Sequence, residues 1–488
     1  MEKKRYFVGV DIGTSNVVMV VGSQVEDEPI KIEGLESQPI DSGVTAGKII
    51  NVQKTGEAIR LAKERLEKSL SIKIEEAYAG FANENIRCVQ YTDHVFVKDS
   101  ASGCIAQEDV DSLHERMQNV IADQSEEIMA RTPLCYIIDN DKEVADPVGS
   151  FGLNLSAKFL FILCQKEQLK RIQMSFQNAG LRLQSVYVNP TIISDVLLSE
   201  DEREEGVAIV DIGGGTTDVA IVRNGLLRYV ASVPIGAQSI NTDMHTFGIA
   251  ERLTSQFKHR YGSAVSDMVA EEATIPIQMA GQAKKDYPQR NLVAIIEARL
   301  KDIIEYAWSE IKIAKMSTKI PCGIVITGGS ALLDNIDELF RRETKLPARL
   351  GRVEYGGLSL ESCQTYGNFA NVAAIGTMLS GSQHAPSVVV KQKEIVRPVT
   401  TLAGNGAPRP RPVAPTPTPT PAPTPRPASQ PKPAPKVEVE EVVEVVEKPK
   451  AEPVSKPKTE DKPKGRGLWS KLSNTLDTIL GNNKDEVL

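Results

Sequence analysis

The strongest constraint on the fold is the stretch Val207-Ala-Ile-Val-Asp-Ile-Gly-Gly-Gly-Thr-Thr-Asp-Val-Ala-Ile-Val222. Two apolar runs, each reading VAIV, flank a turn of glycine, threonine and aspartate. Runs of that length suit buried strands and are too short for helices. Gly213, Gly214 and Gly215 carry no side chains, so their amides can close directly on an anion, and Thr216 and Thr217 add hydroxyl donors. Asp211, at the exit of the first strand, is a hard oxygen ligand of the kind Mg2+ takes, directly or through water. The stretch predicts a hairpin that holds phosphate and metal at its turn. Alone, it reads equally well as an ordinary glycine-rich hairpin.

A second copy changes that balance. Tyr6 to Gly22 reads as strand, turn and strand, with Asp11-Ile-Gly13-Thr14-Ser15-Asn16 standing where Asp211-Ile-Gly-Gly-Gly-Thr216 stands later. Two such hairpins in one chain predict two similar half-domains facing each other across a nucleotide. A third signal lies at Gly323-Ile-Val-Ile-Thr327-Gly328-Gly329-Ser330, predicted as a buried strand with the helix ALLDNIDELFRR directly after it. Glycines at a strand-to-helix turn let backbone approach a ligand, and a helix N-terminus favours negative charge. There is no GxxxxGK[ST], and the glycine turn at 213–215 leads into a strand. Both facts exclude the Walker A loop and the dinucleotide-binding fingerprint.

The 488 residues allow two or three domains with large cores. A net charge of -7 with no basic globular face argues against general nucleic-acid binding. Six scattered cysteines with no CxxC pair, and five dispersed histidines, give neither a recognisable zinc site nor a disulfide framework. The start MEKKRYFVGVDIG runs straight into a strand, and no apolar run approaches the roughly 20 residues needed to span a bilayer. These features predict a soluble intracellular protein, unless something other than a span holds it to a membrane.

A helix is predicted around Thr55–Leu70. From about Glu84 to Cys164 the texture changes: VQYTDHVFV alternates, EDVDSLHERMQNVIADQ is an amphipathic helix, and LCYIID and AKFLFILC read as strands. This predicts a small α+β module inserted into the first half. It holds no catalytic cluster, His94 and His114 read as surface residues, and the module reads as an interaction surface. The charge run before Gly206 marks the boundary between halves. Past Gly381 the composition breaks. Residues 408–435 alternate proline with small or basic residues and predict extended polyproline II. An acidic patch and a lysine- and proline-rich run follow. The stretch 382–463 is expected to be a disordered tether, whose stiff part reaches about 90 Å at roughly 3.1 Å per residue. Beyond it, Leu468, Leu472, Leu476 and Ile479 fall on one helical face, with Trp469 and Leu480 at its margin and Lys464, Arg466 and Lys471 at its start. At roughly 21 Å this helix is too short to cross a bilayer and suits the headgroup region. Docking on the globular body or in a partner groove is the alternative.

The paired DIG hairpins and the strand ending in TGGS resemble the actin, Hsp70 and sugar-kinase superfamily. Within it, the inserted module, the Asp146-Pro-Val-Gly-Ser-Phe-Gly152 turn, the DEREEGVAIVDIGGGTTDVAIV block and the tethered Trp-containing helix resemble the bacterial cell-division family FtsA. The resemblance covers 5–380 and, in character, the C-terminal helix. It implies an α/β, actin/Hsp70-like two-half ATPase fold with an inserted α+β (SHS2-like) domain, a disordered Pro-rich tether and a C-terminal amphipathic helix. The implied divisions are a first half at 1–83 and 163–200, the insertion at 84–162, a second half at 201–228 and 301–381, a small subdomain at 229–300, the linker at 382–463 and the membrane helix at 464–481.

The same resemblance implies ATP with Mg2+. Asp11, Gly13, Thr14, Ser15, Asn16, Asp211, Gly213, Gly214, Gly215, Thr216 and Thr217 would grip phosphates, with Gly328, Gly329 and Ser330 against the adenosine and Lys258 at its ribose and base end. Asp11 and Asp211 would be the metal ligands and catalytic carboxylates. The implied partners are FtsZ through its C-terminal peptide, further copies of the chain in a filament, later division proteins and the inner-membrane lipid surface. The implied location is the cytoplasmic face of the membrane, as a peripheral protein at the division site. Three departures stand out: Asn16 replaces a frequent lysine, Asn189 is the nearest match to a water-positioning Glu or Gln, and Ser255-Gln-Phe-Lys258 keeps only the lysine of Glu-x-x-Lys. They imply ATP binding with at most weak hydrolysis. A small-molecule kinase of the superfamily and a PilM-like pilus-assembly scaffold are the alternatives. The tether and terminal helix argue against both.

Overall fold

The computed structural model describes residues 4–392 apart from 27, 100, 278–284, 354–356 and 385–389. The stretch 464–481, expected to form the amphipathic helix with Leu468, Trp469, Leu472, Leu476, Ile479 and Leu480 at the membrane, lies outside the described residues, as does nearly all of the stretch expected to be a tether.

The duplication read from the two hairpins extends through two whole sheets. In the first half, Arg182–Val188, Glu76–Phe81, Lys4–Ile12, Asn16–Val25 and Lys31–Pro39 lie side by side in that order. The first three run parallel, and the last two alternate antiparallel. In the second half, Ala348–Leu350, Ile324–Thr327, Val207–Ile212, Thr217–Arg223 and Leu226–Val233 repeat the same order and directions. The aspartates occupy matching places. Asp11 pairs with Val18 on the hairpin partner and Gly80 on the parallel neighbour, and Asp211 pairs with Asp218 and Thr327.

Each half ends by sending a helix onto the other. Asn189–Leu197 leaves the last strand of the first half, and Val372–His384 leaves the second. Together they build a core shared by both hairpins: Ile193, Val196 and Met378 pack in one cluster with Val18 and Val20 of the first hairpin and Ile209 and Ala220 of the second. A fully buried aliphatic side chain of this kind contributes about 1.5–3 kcal/mol. Gly9 permits a close backbone approach, since a Cβ there would lie 2.6 Å from the backbone N of Met378. Because the two hairpins share one core, neither turn can shift freely of the other.

The inserted module is built on Arg87–Phe96, Glu126–Ile138, Lys142–Val144 and Asn154–Gln165. The strand Asn154–Gln165 turns alternate residues inward, so Leu155, Ala157, Phe159 and Phe161 meet Val110, Leu113 and Met117 of helix Gln107–Gln118. A single pair, Ala231 with Arg87, joins this sheet to the second half. His94 is exposed, and His114 is half-buried. Its Nε2 lies 2.6 Å from Tyr136 Oη, and its ring stacks on Tyr136 and meets Phe159 edge-on.

Two further expectations change. The helix Val372–His384 runs past 381, through the residue expected to begin the tether, and Val390–Gln392 pairs antiparallel with Ile72–Ile74. Gly381, past which the composition breaks, is a packing residue: a Cβ there would overlap the ring of Tyr78. The divisions at 162/163, 200/201, 228/229 and 300/301 fall inside Asn154–Gln165, Glu200–Glu205, Leu226–Val233 and Gln289–Ile313, elements that run on unbroken.

Candidate functional site

The two turns close in the same way. Gly13 N donates to Asn16 O at 3.0 Å, and Gly213 N donates to Thr216 O at 2.9 Å. They also meet each other. A Cβ on Gly214 would overlap Ser15 Oγ, and one on Gly215 would fall 2.6 Å from Thr14 Oγ1. The bare backbone of the second turn therefore fits against the hydroxyl side chains of the first, which requires glycine there. Thr14 is buried, and its Oγ1 accepts from Gly47 N at 2.9 Å, leaving its own proton to donate. Behind the second turn, the N–H groups of Ala237 and Gln238 donate to the carbonyls of Gly213 and Gly214 at 2.9 and 2.8 Å. These bonds pin the start of helix Ala237–Thr246 to the turn.

A cavity of about 400 Å³ opens between the hairpins, a size that suits a small-molecule ligand. Asp11, Gly13, Thr14, Ser15 and Asn16 line one side of it. Asp211, Gly213, Gly214 and Thr216 line the other, and Lys258, Gly328, Gly329 and Ser330 complete it. Gly215 and Thr217, also expected to hold phosphate, are not among the lining residues. Gly215 faces Thr14, and the fully buried Thr217 spends its hydroxyl on Ile235 O at 2.8 Å.

Three carboxylates meet at the floor. Asp211 and Asp218 are directly paired across the second hairpin, so their side chains share one face. Burial raises the pKa of Asp211 well above the usual carboxylate range, and the charges of Asp218 and Asp11 raise it further. Asp218 is raised by burial, against an opposing bond from the Ser232 hydroxyl at 2.5 Å. Burial pushes Asp11 up to about 6, opposed by Asn189 Nδ2, which donates to its Oδ1 at 2.8 Å. Among the described residues no cation forms an ion pair with any of the three. Buried charge without compensation is costly, so this floor is built for a proton or a cation. Among the described residues, no group of three or more His, Cys, Asp or Glu is placed to hold a metal alone. The hard carboxylate oxygens of Asp11 and Asp211 are of the donor type Mg2+ takes, in ones or twos, with phosphate oxygens and water completing its shell.

On the opposite side, Lys258 is buried on helix Glu251–Tyr261. Its Nζ donates to Ala237 O at 3.1 Å, and burial lowers its pKa to about 8. Three buried polar atoms of the cavity wall lack a protein partner: Ser330 Oγ, Asn241 Oδ1 and Asn189 Oδ1. Unsatisfied groups in a concave wall suit a ligand that supplies the missing bonds.

The glycine turn at 328–329 differs from expectation. The strand Ile324–Thr327 passes into a short 3-10 turn, Gly329–Leu332, and the helix begins only at Ile336. Asn335 in a left-handed conformation, φ 63°, separates the two. No helix N-terminus therefore points into the cavity from here. Instead Gly328, at φ 87°, wraps Asp211, whose Oδ1 a Cβ would overlap. Gly329 faces open space.

Asp218, Asn241 and Gln238 line the cavity without having been singled out in the sequence. Asp218 was readable in principle, because folding the hairpin about its turn sets it opposite Asp211. Asn241 and Gln238 carry no comparable signal, since their place depends on how one helix docks on a turn.

Comparison with known proteins agrees with this architecture. The family model described as "Cell division protein FtsA" matches residues 208–376, and that described as "SHS2 domain inserted in FTSA" matches 83–163. The cell division protein FtsA of Neisseria meningitidis serogroup B is 30% identical over 362 residues, 73% of this chain and 86% of that protein. That of Pseudomonas aeruginosa is 28% identical over 356 residues, 72% of this chain and 84% of that protein. Among solved structures, the PilM-PilN type IV pilus biogenesis complex aligns with a TM-score of 0.52 at 13% identity, covering 77% of this chain and 98% of the other. That likeness shows the actin-like fold alone.

Proposed function

The chain belongs to the FtsA family of cell division proteins, and we propose that it acts as an ATP-binding scaffold that polymerises on the cytoplasmic face of the membrane at the division site. The observation that carries the nucleotide assignment is the pair of matched hairpins interlocked over one cavity whose three carboxylates form no ion pair among the described residues. In this reading Gly13 to Asn16 and Gly213, Gly214 and Thr216 hold the phosphates. Gly328 to Ser330 face the adenosine, Lys258 lies at its ribose end, and Asp11 and Asp211 hold Mg2+. The metal supplies positive charge to both the triphosphate and the carboxylate floor. Asn189 donates its amide N–H to Asp11, and a carboxamide is too weak a base to take a proton, so it can orient a water but cannot deprotonate one. This favours binding over turnover.

The wider role rests on the family and on the sequence beyond the cleft. The helix at 464–481 would lie in the inner-membrane lipid surface, and the Pro-rich tether would give it reach. The region about 229–300 would take the FtsZ C-terminal peptide, and the inserted module would recruit later division proteins. Among the described residues no helix is long and apolar enough to cross a membrane. A short surface helix gives weak, reversible attachment, and a filament multiplies such anchors into firm residence. Co-sedimentation with anionic vesicles, with and without ATP and an FtsZ C-terminal peptide, tests this. Removing residues 465–488 is expected to abolish vesicle binding while leaving ATP affinity intact. Undiminished vesicle binding would sink the anchor assignment.

A further inference from the structure

A second cavity, of about 730 Å³, opens between the inserted module and the second half. Strand register determines which face of the module floors it. Lys158 lies directly across from Cys135, and Leu160 across from Gln90, so Lys158, Cys135 and Gln90 share the face turned away from helix Gln107–Gln118. The facing wall is the turn and strand after Thr217–Arg223, together with the segment that leaves the long helix Gln289–Ile313.

The lining has an unusual charge for an acidic chain. Lys158, Arg223, Arg228, Lys315 and Lys319 all contribute, against one carboxylate, Glu143. Glu143 pairs with Lys158 at 3.7 Å, and among the described residues no ion pair engages the other four. The C-terminal end of the long helix accounts for a cation at Lys315, but Arg223 and Arg228 belong to the hairpin and have no such reason to be there. Arg228 already spans the gap: its Nη1 donates to Leu134 O at 3.2 Å and its Nε to Arg223 O at 3.1 Å. Both bonds are to neutral carbonyls, and half-burial lowers its pKa, only partly opposed by the more distant charges of Glu143 and Glu204. Leu134, Leu226 and Met316 add apolar ground between the charges.

We propose that this groove is a second ligand site, for a soluble organic polyphosphate whose negative charge answers the four cations that no ion pair engages. Arginines suit it because a guanidinium meets phosphate oxygens in a bidentate fork, and the cavity volume lies in the small-molecule range. The occupant would hold the module against the second half, beside the existing Arg228–Leu134 bond. The site is separate from the nucleotide cleft and does not depend on it.

The test is calorimetric titration of the full chain with sodium tripolyphosphate at low salt, without divalent ions. Gly329→Leu blocks the nucleotide cleft, because a side chain there enters open space. Arg223→Ala/Lys315→Ala/Lys319→Ala strips the groove, leaving Arg228 to hold Leu134. Binding should survive Gly329→Leu and fall at least about tenfold in the alanine triple variant, with a shallower salt dependence. Arg223→Lys/Lys315→Arg/Lys319→Arg, which keeps every charge, should retain most of the affinity even if the alanine variant folds poorly. Equal affinity in the alanine variant, or equal loss in the charge-preserving one, overturns the site. So does binding that vanishes in Gly329→Leu alone. Binding of phosphatidylglycerol vesicles through these residues, with no response to tripolyphosphate, also overturns it as a site for a soluble ligand.

Discussion

The two hairpins have one backbone plan and opposite side-chain strategies. Both turns close on the same hydrogen bond, and both sit in sheets of the same order and direction. The first turn presents Thr14, Ser15 and Asn16, and the second presents Gly214, Gly215 and Thr216 at the matching places. Hydroxyls on one side fill the gaps left by glycine on the other, so the halves approach as an interlocking pair rather than as mirror copies. The floors differ too. Across from Asp11 stands Val18, and across from Asp211 stands Asp218. The second hairpin therefore carries a repelling carboxylate pair, and the first carries a single carboxylate steadied by Asn189. Duplication supplied the frame, and divergence within it made one site with two unlike sides.

The largest effect should come from breaking the interlock. Gly214→Val places a side chain where Ser15 Oγ lies, and ATP affinity measured by calorimetry should fall at least about 100-fold, roughly 2.7 kcal/mol. The counterpart Thr14→Gly removes a donor without a clash and should cost no more than about tenfold. Equal losses would mean that the hairpins do not differ in the way their contacts suggest.

The carboxylates come next. Asp211→Asn should weaken binding of Mg2+ with ATP by about 10- to 100-fold, since it removes a charge-assisted ligand. The same floor sets a pH dependence in the ligand-free protein. A carboxyl whose pKa is higher folded than unfolded binds its proton more tightly in the native state. Its stabilisation is therefore complete below the unfolded value of about 4 and is lost as the pH rises through the folded value. For Asp11 that folded value is about 6, and Asp211 and Asp218 shift in the same direction. Urea unfolding should show this contribution to stability declining from about pH 4 to pH 7. Asp218→Asn should flatten the decline, because it removes one member of the repelling pair.

Smaller effects separate neighbours that look alike in sequence. Asn189→Ala removes the bond that opposes burial at Asp11, so an NMR titration should find the Asp11 pKa above its starting value of about 6. Thr217→Val deletes a hydroxyl bonded to Ile235 O, outside the cleft. It should cost about 1 kcal/mol of stability and leave ATP affinity within about twofold.

Much of this was legible in the chain because the two DIG turns carry local signals: β-branched runs, glycines and an aspartate at a strand end. Those patterns do not depend on distant contacts, and they led to the two-half architecture and to the part of the cavity wall that the two turns build. What could not be read depends on tertiary packing. Thr217 sits beside Thr216 in sequence, yet it turns to the backbone behind the hairpin instead of the cleft. The helix expected directly after Ser330 starts only at Ile336, because Asn335 takes a left-handed turn that no simple periodicity announces. Gly381 stands where the composition breaks and is a packing contact with Tyr78. His114 looks like a surface residue on an amphipathic helix and lies against Tyr136 and Phe159.

The central claim is that both hairpins grip one nucleotide. Calorimetric titration of Mg2+ with ATP into the wild type, Asp11→Asn and Asp211→Asn tests it most directly. The account predicts one ATP in the cleft of each chain, with that cleft affinity lowered at least about tenfold by either substitution, or about 1.4 kcal/mol each. If either variant kept its affinity within about twofold, the two-sided clamp would be contradicted, and the hairpins would have to be treated as independent structures.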